Sequence, residues 1–302
     1  MDITNSTIAL ITGASSGIGA ALAIMLAGYG AKVAIAARRR ERLEAVAEQI
    51  RAAGGTPLVI QADFSKKADA EQAVRTTIAT FGGIDILVNN AGRGNVASIE
   101  DTTQEQLDSL FSLNVYSLWY TTAIALPVMK QQGRGHIINI SSMAGKSAFP
   151  GSSVYIATKH ACVGFTAALR SELMGTGVEA TVICPVNVKT EWASATEGGS
   201  VEELFAVALG SIAQAEHHSD PPPEASPSLI EAVQKMGVVL SPQAVVETII
   251  ATIQNPTKAD VFTHPGSEAV ALAIAHDRRV VEGVQQDFIL AMQQAYTTLH
   301  KS

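Results

Sequence analysis

Short apolar runs rich in β-branched residues, bounded by Gly, Asn, Asp or Pro, recur at residues 8–11, 32–36, 58–60, 84–88, 136–140 and 179–184. Runs of this length with no alternating polar face read as strands buried on both sides. Between them lie longer stretches, 40–53, 68–81, 106–129 and 154–174, in which apolar residues return every three or four positions. That spacing predicts amphipathic helices. Buried strands alternating with helices imply right-handed βαβ units and a doubly wound parallel sheet of α/β class, with helices on both faces. No internal repeat of solenoid period is present.

The pattern loosens after Pro185. The stretch 191–240 holds Gly198-Gly199, then Val201, Leu204, Phe205, Ala208 and Ile212 at helical spacing, then Asp220-Pro221-Pro222-Pro223, which cannot continue a helix. A long insertion of this kind reads as a functional lid or a partly disordered segment. Ser241-Pro242 has the form of an N-cap followed by a first helical residue, and Val261-Phe262 suits a last short strand. Residues 264–302 read as a helical extension. The expectation is one Rossmann-type domain over 1–302 carrying the lid and this extension.

Composition narrows the class of function. Hydrophobic residues make up 47% of the 302 positions and charged residues 16%, enough apolar surface to offset chain entropy. Lys and Arg number 21 against 28 Asp and Glu, a net charge of −7, the wrong sign for tracking a phosphate backbone. Nucleic acid is therefore not an expected partner. Two cysteines outside any metal-type spacing argue against a disulfide framework and against structural zinc, and no metal is expected. Met1 to Thr7 has no basic stretch before an apolar one, and no apolar run approaches the ~20 residues that cross a bilayer, so a cytoplasmic location is expected.

Three clusters carry candidate chemistry. The first strand runs into Thr12-Gly13-Ala14-Ser15-Ser16-Gly17-Ile18-Gly19 ahead of a helical stretch. Such a turn is either a tight strand–helix connection or a backbone cradle for a pyrophosphate at the helix N-terminus. The second strand ends in Ala37-Arg38-Arg39-Arg40, where a dinucleotide fold presents its side chain to the adenosine ribose. No acid stands there to accept the 2′-hydroxyl and repel a 2′-phosphate. A charge-assisted bond from Arg38 to that phosphate, ~1.5–3 kcal/mol, would favour NADP over NAD about 10- to 100-fold. Tyr155 and Lys159, four residues apart in a helical stretch, share a face. An ammonium there favours the phenolate and suits Tyr155 to proton exchange with a reacting oxygen.

Together these residues resemble the short-chain dehydrogenase/reductase family from about Thr7 to about Thr263. Thr12-Gly13-x-x-x-Gly17-x-Gly19 matches the family's cofactor turn, Asn89-Asn90-Ala91-Gly92 its motif after the fourth strand, and Tyr155-x-x-x-Lys159 its catalytic pair. Ser142 stands thirteen residues before Tyr155, and Asn114 falls at the position of the family's asparagine. The resemblance implies that Tyr155 is the general acid/base, Lys159 assists it and binds the nicotinamide ribose, Ser142 holds the substrate oxygen, and Asn114 positions a water. It implies cofactor contacts from Gly13, Ser15, Ser16, Gly17, Ile18, Gly19, Arg38, Asp63, Asn90, Ala91, Gly92, Pro185, Val188 and Thr190, with Asp63 at the adenine. The family's usual Pro-Gly after the sixth strand is Pro185-Val186 here.

The expected function is hydride transfer between NADP(H), preferred over NAD(H), and a small-molecule carbonyl or secondary alcohol, in a homodimer or homotetramer. The alternative from another class is a non-catalytic NADP(H)-binding sensor. The Gly13, Gly17, Gly19 spacing argues against the family's extended epimerase or dehydratase branch. Arg93 is either an exposed loop residue or a contact for an anionic substrate. Trp192, Phe205 and Leu209 suit an apolar substrate or the packing of the lid itself. The adjacent His217 and His218 suit a solvated loop. The apolar run 269–275 suits an interface, a cover for the site or a membrane surface.

Overall fold

The computed structural model describes residues 1–148, 151–186, 188–191, 196 and 240–263. The expectations placed on Trp192, Phe205, Leu209, His217, His218 and residues 264–302, and nearly all of the 191–240 insertion, lie outside the described residues. Seven strands form one parallel sheet: β1 Ile8–Thr12, β2 Lys32–Ala37, β3 Thr56–Gln61, β4 Ile86–Asn89, β5 Gly135–Ile140, β6 Val178–Cys184 and β7 Val261–Phe262. Their order is β3-β2-β1-β4-β5-β6-β7, so the chain moves outward in one direction from β1 and then in the other. The six apolar runs each form a strand. Val261-Phe262 supplies the seventh beside Ile183 and Cys184.

Helices cover both faces, and the alternation of side chains along each strand shows how. Ala9, Ile11, Val33, Ile35, Ile86, Val88 and Ile138 pack with helices α1 Gly17–Gly28 and α2 Arg40–Ala52, and with a late helix, Pro242–Gln254. The intervening Leu10, Ala34, Ala36, Leu87 and Ile137 face α3 Lys67–Phe81, α5 Ser117–Gln132 and α6 Ser153–Glu172. The inner strands β1, β2, β4 and β5 therefore bury apolar side chains on both faces, as parallel sheets require. The late helix, numbered α7, begins as its sequence suggests: the Ser241 hydroxyl accepts the Ala244 N–H at 3.3 Å and Pro242 takes the first turn.

The helix expected over 106–129 is corrected. A capping box between Thr103 and Gln106 starts α4, Gln104–Phe111, earlier. A π-helical turn, Ser112–Tyr116, follows it, and α5 continues to Gln132. An extra residue per turn changes the apolar period too little to be seen in the pattern, and π-turns concentrate at functional sites. Asn114 sits in this one.

The N-terminal ends of the strands are tied by Asp85. Its buried carboxylate accepts the Ile8 N–H and the Arg134 guanidinium, each at 2.9 Å, linking the starts of β1, β4 and β5. Next in that layer, His136 is buried with Nε2 2.9 Å from the Thr181 hydroxyl. Burial, assisted by the nearby N-terminal ammonium, pushes the His136 pKa down to about 4. The folded state thus holds this imidazole neutral, whereas an unfolded histidine titrates near ~6.5. Its contribution is complete above pH ~6.5 and is lost as the pH falls toward 4. We predict that unfolding by urea at pH 5 costs about 2 kcal/mol less than at pH 7 on this account alone. In His136→Gln the loss should shrink by that amount, and equal pH dependence in the two proteins would contradict the assignment.

Candidate active site

All of the motif residues gather at the C-terminal ends of the strands. The first contact there is between the ends of β1 and β4. The Thr12 hydroxyl accepts the backbone N–H groups of Asn90 at 3.0 Å and Ala91 at 2.9 Å. Asn90 in return donates its side-chain amide to the carbonyls of Thr12 at 2.9 Å and Gly13 at 3.2 Å. The glycines of the turn are required by this closeness. Gly13 has φ of 66°, and a Cβ on it would lie 2.8 Å from Ala91 Cα; one on Gly19 would lie 2.6 Å from the Asn90 amide. L side chains are strained at such φ, and nothing here can shift aside.

The turn leads into α1 in a way that suits an anion. Ser16 occupies the N-cap but makes no side-chain cap, and no acidic residue stands in the first turn. The amide groups and the positive end of the helix dipole are left without the usual internal anion, which fits a pyrophosphate. Ile18 packs into the core beneath. Thr190 comes from beyond β6 to cover this turn, its methyl 3.2 Å from where a Gly17 Cβ would stand. Val188 packs against the core and pairs with Leu240, while the Pro185 carbonyl accepts the Met143 N–H at 2.9 Å.

At the end of β2 the three arginines diverge. Arg38 is exposed, with its carbonyl bonded by Gln61. Its neighbour Arg39 turns back toward the Gly-rich turn and donates to Ser15 at 3.0 Å and Ser16 at 2.9 Å. Arg39 and Arg42 also meet the Glu191 carboxylate. Of the three consecutive arginines it is Arg39, at the N-cap of α2, whose side chain meets the turn. Asp63 is engaged locally: its carboxylate accepts the Ser65 N–H at 3.1 Å and hydroxyl at 2.8 Å, and its own N–H is bound by Asp69.

On the other side of the cleft, α6 brings Tyr155 and Lys159 to the end of β5. The Lys159 ammonium lies 5.7 Å from the centre of the Tyr155 ring and donates to the Ile140 carbonyl at 3.0 Å. Both side chains are buried, and burial holds the Lys159 pKa below the usual lysine value. Asn114 faces them from the π-turn. Its amide donates to the Arg93 carbonyl at 2.9 Å and to the Thr158 hydroxyl at 3.1 Å, while its oxygen accepts the Arg93 N–H at 3.0 Å. Gly92 closes the group: a Cβ there would lie 3.2 Å from the Asn114 oxygen and 3.6 Å from Lys159 Nζ. Thr158, which also donates to the Tyr155 carbonyl, carries no motif signal. Arg93 reaches back to the Ser109 hydroxyl of α4.

Ser142 opens a short 3-10 turn, Met143–Gly145, where its hydroxyl accepts the Ala144 N–H at 3.1 Å. Ser141 binds the Lys159 carbonyl at 3.0 Å and fixes that turn to α6. Cys162 and Cys184 lie in an apolar cluster with Leu118 and Val182, and burial pushes their thiols up to about 11 and about 12. They are neutral and poor nucleophiles at ordinary pH. Among the described residues no cluster of His, Cys, Asp or Glu is placed to hold a metal, and no helix is long and apolar enough to cross a membrane.

Comparison with known proteins agrees with this geometry. An uncharacterized oxidoreductase of Staphylococcus aureus is 39% identical over 190 residues, 63% of this chain and 81% of that protein. One from Thermotoga maritima is 40% identical over 184 residues, 61% of this chain and 72% of its own length. Among solved structures, a short chain dehydrogenase/reductase from Burkholderia phymatum in complex with NAD superposes with a TM-score of 0.74 at 26% identity, covering 94% of this chain and 96% of that one. A short-chain type dehydrogenase/reductase from Mycobacterium marinum gives 0.70 at 28%, covering 86% and 94%. The family model for short chain dehydrogenases matches residues 7–199, and the chain belongs to that family of oxidoreductases.

Proposed function

We propose that the protein is an NADP(H)-dependent carbonyl reductase or alcohol dehydrogenase, with Tyr155 as its general acid/base. The observation that carries this reading is the group of buried Tyr155, Lys159 and Asn114, with Gly92 beside them, in the cleft. A bound nicotinamide supplies hydride transfer to or from the substrate carbon, and the residues of this chain supply the rest. Tyr155 gives its phenolic proton to the carbonyl oxygen in reduction and takes it back in oxidation. Lys159, held by the Ile140 carbonyl, stabilises the negative charge that develops on the phenolic oxygen. Ser142 holds the substrate oxygen against the phenol, so that proton transfer runs along a short fixed path. Asn114, fixed between Arg93 and Thr158, positions a water for proton exchange with solvent.

Gly13, Ser15, Ser16, Gly17, Ile18 and Gly19 hold the pyrophosphate in this reading, Asp63 the adenine, and Asn90, Ala91, Gly92, Pro185, Val188 and Thr190 line the nicotinamide side. NADP is favoured because the end of β2 carries Arg38 and Arg39 and no acid. The NAD bound in the Burkholderia phymatum structure belongs to that protein. We also propose a single domain and a cytoplasmic homodimer or homotetramer joined through α5 and α6. On that surface Trp119 is 62% exposed and meets Phe165 in a tilted ring contact, the ring centres 5.1 Å apart.

Fluorescence titration with NADPH and NADH, followed by a panel of ketones and aldehydes, tests the reading. Tyr155→Phe should keep its NADPH affinity and lose turnover about 10²- to 10⁴-fold; unchanged turnover would remove Tyr155 from the chemistry. Arg38→Ala and Arg39→Ala should each weaken NADPH about 10- to 100-fold with NADH little changed. Preference of the parent protein for NADH would overturn the cofactor assignment. Sedimentation showing a monomer at micromolar concentration would remove the oligomer.

A further inference from the structure

The cation cluster at the end of β2 already has an anion on it. Glu191 comes from the far side of the cleft, 152 positions along the chain from Arg39. Its Oε2 lies 3.4 Å from the Arg39 guanidinium and contacts that of Arg42 still more closely. These two arginines hold the Glu191 carboxyl below the ordinary glutamate value, with Arg42 the larger cause. Arg39 at the same time donates to the Ser15 and Ser16 hydroxyls of the turn. Thr190, one residue earlier, lies over Gly17. Thr190 and Glu191 therefore cross from the pyrophosphate turn to the place where a dinucleotide fold sets its adenosine ribose.

We propose that Glu191 is a specificity-determining residue, its carboxylate competing with the 2′-phosphate of NADP(H) for the guanidiniums of Arg39 and Arg42. The inference rests on the dinucleotide-binding reading of the cleft. A carboxylate and a phosphate monoester offer the same oxygen acceptors to an arginine fork. The side chains of Arg39, Arg42 and Glu191 are about half exposed, at 47%, 48% and 53%, so the internal pair breaks at low cost and the dianionic phosphate displaces it. NADH, with a 2′-hydroxyl, has no group to replace the carboxylate and leaves the pair intact. Glu191 thus lowers NADPH affinity selectively and narrows the discrimination that the arginines create.

The test is fluorescence titration of the parent protein, Glu191→Gln and Glu191→Ala with NADPH and with NADH at one fixed salt concentration. Both substitutions are at an exposed position, and thermal unfolding of each variant checks that the fold is kept. The ratio of the NADH to the NADPH dissociation constant should rise about three- to tenfold in both variants, through tighter NADPH binding and with NADH within about twofold. An unchanged ratio in both overturns the competition. The outcome is separate from cofactor preference: a parent protein that favours NADH, with the ratio still rising in the variants, refutes NADP preference and upholds the role of Glu191. A parent that favours NADPH, with no change in the variants, does the reverse. If the parent binds neither nucleotide, the dinucleotide reading and this inference fall together.

Discussion

The clasp between Thr12 and Asn90 is the contact on which the cleft depends. β1 has β2 on one side and β4 on the other, and the chain leaves these two neighbours toward opposite directions of the sheet. A crevice opens at such a reversal, and ligands of open α/β sheets bind there. Its two walls are loops, and loops need fixing. One hydroxyl taking two N–H groups and one amide serving two carbonyls join the β1 and β4 loops side by side. The approach is close enough to leave no space for a Cβ at Gly13 or Gly19. The glycines proposed to bring backbone amides toward a phosphate are thus also the ones that let the two loops meet.

A second set of polar contacts carries this registration to the other side of the site. The Thr121 hydroxyl of α5 donates to Asn89, Asn89 donates to Asn139 on the next strand, and Asn139 donates to Thr166 of α6. All four side chains are buried. Each bond adds only about 1 kcal/mol net, but a buried polar group without a partner costs about 1–3 kcal/mol, so a helix displaced along the sheet would strand several groups at once. The seam therefore selects one placement of α5 and α6 on β4 and β5. Asn114 lies just before α5 and the Tyr155–Lys159 pair lies on α6, and their mutual distances follow from that placement.

Much of this was legible in the sequence because the sheet is parallel. Strands buried on both faces make short unbroken apolar runs, which stand out against the helical period on either side. The reading of Ser241-Pro242 as a helix start holds for a similar reason, since capping is local chemistry. What the sequence hid depends on direction in space. The π-turn at Asn114 shifts the backbone by a fraction of a turn and leaves no break in the apolar pattern. Arg38 and Arg39 are chemically identical neighbours, and only the backbone at the N-cap of α2 decides which one reaches Ser15 and Ser16. Asp63 looks free in a sequence, yet Ser65 lies close enough to occupy its carboxylate. Glu191 could not be joined to Arg39 by any local rule.

The two ends of the cleft hold their charges by opposite means. At the Tyr155 end Lys159 is buried, with its ammonium donating to the Ile140 backbone carbonyl. Burial weakens its hold on a proton, and in the proposed reaction the negative charge arising on Tyr155 would offset that cost in a setting of low dielectric, where screening by salt is weak. At the arginine end the charges stand half in water and are already partly neutralised by Glu191. Interactions there are individually weak, fall off over about 8–10 Å in ordinary salt, and exchange partners cheaply. In the proposed function a chain with net charge −7 thus keeps strong, fixed electrostatics where bond-making needs a defined geometry. The proposed discrimination between ligands rests on contacts that can be traded.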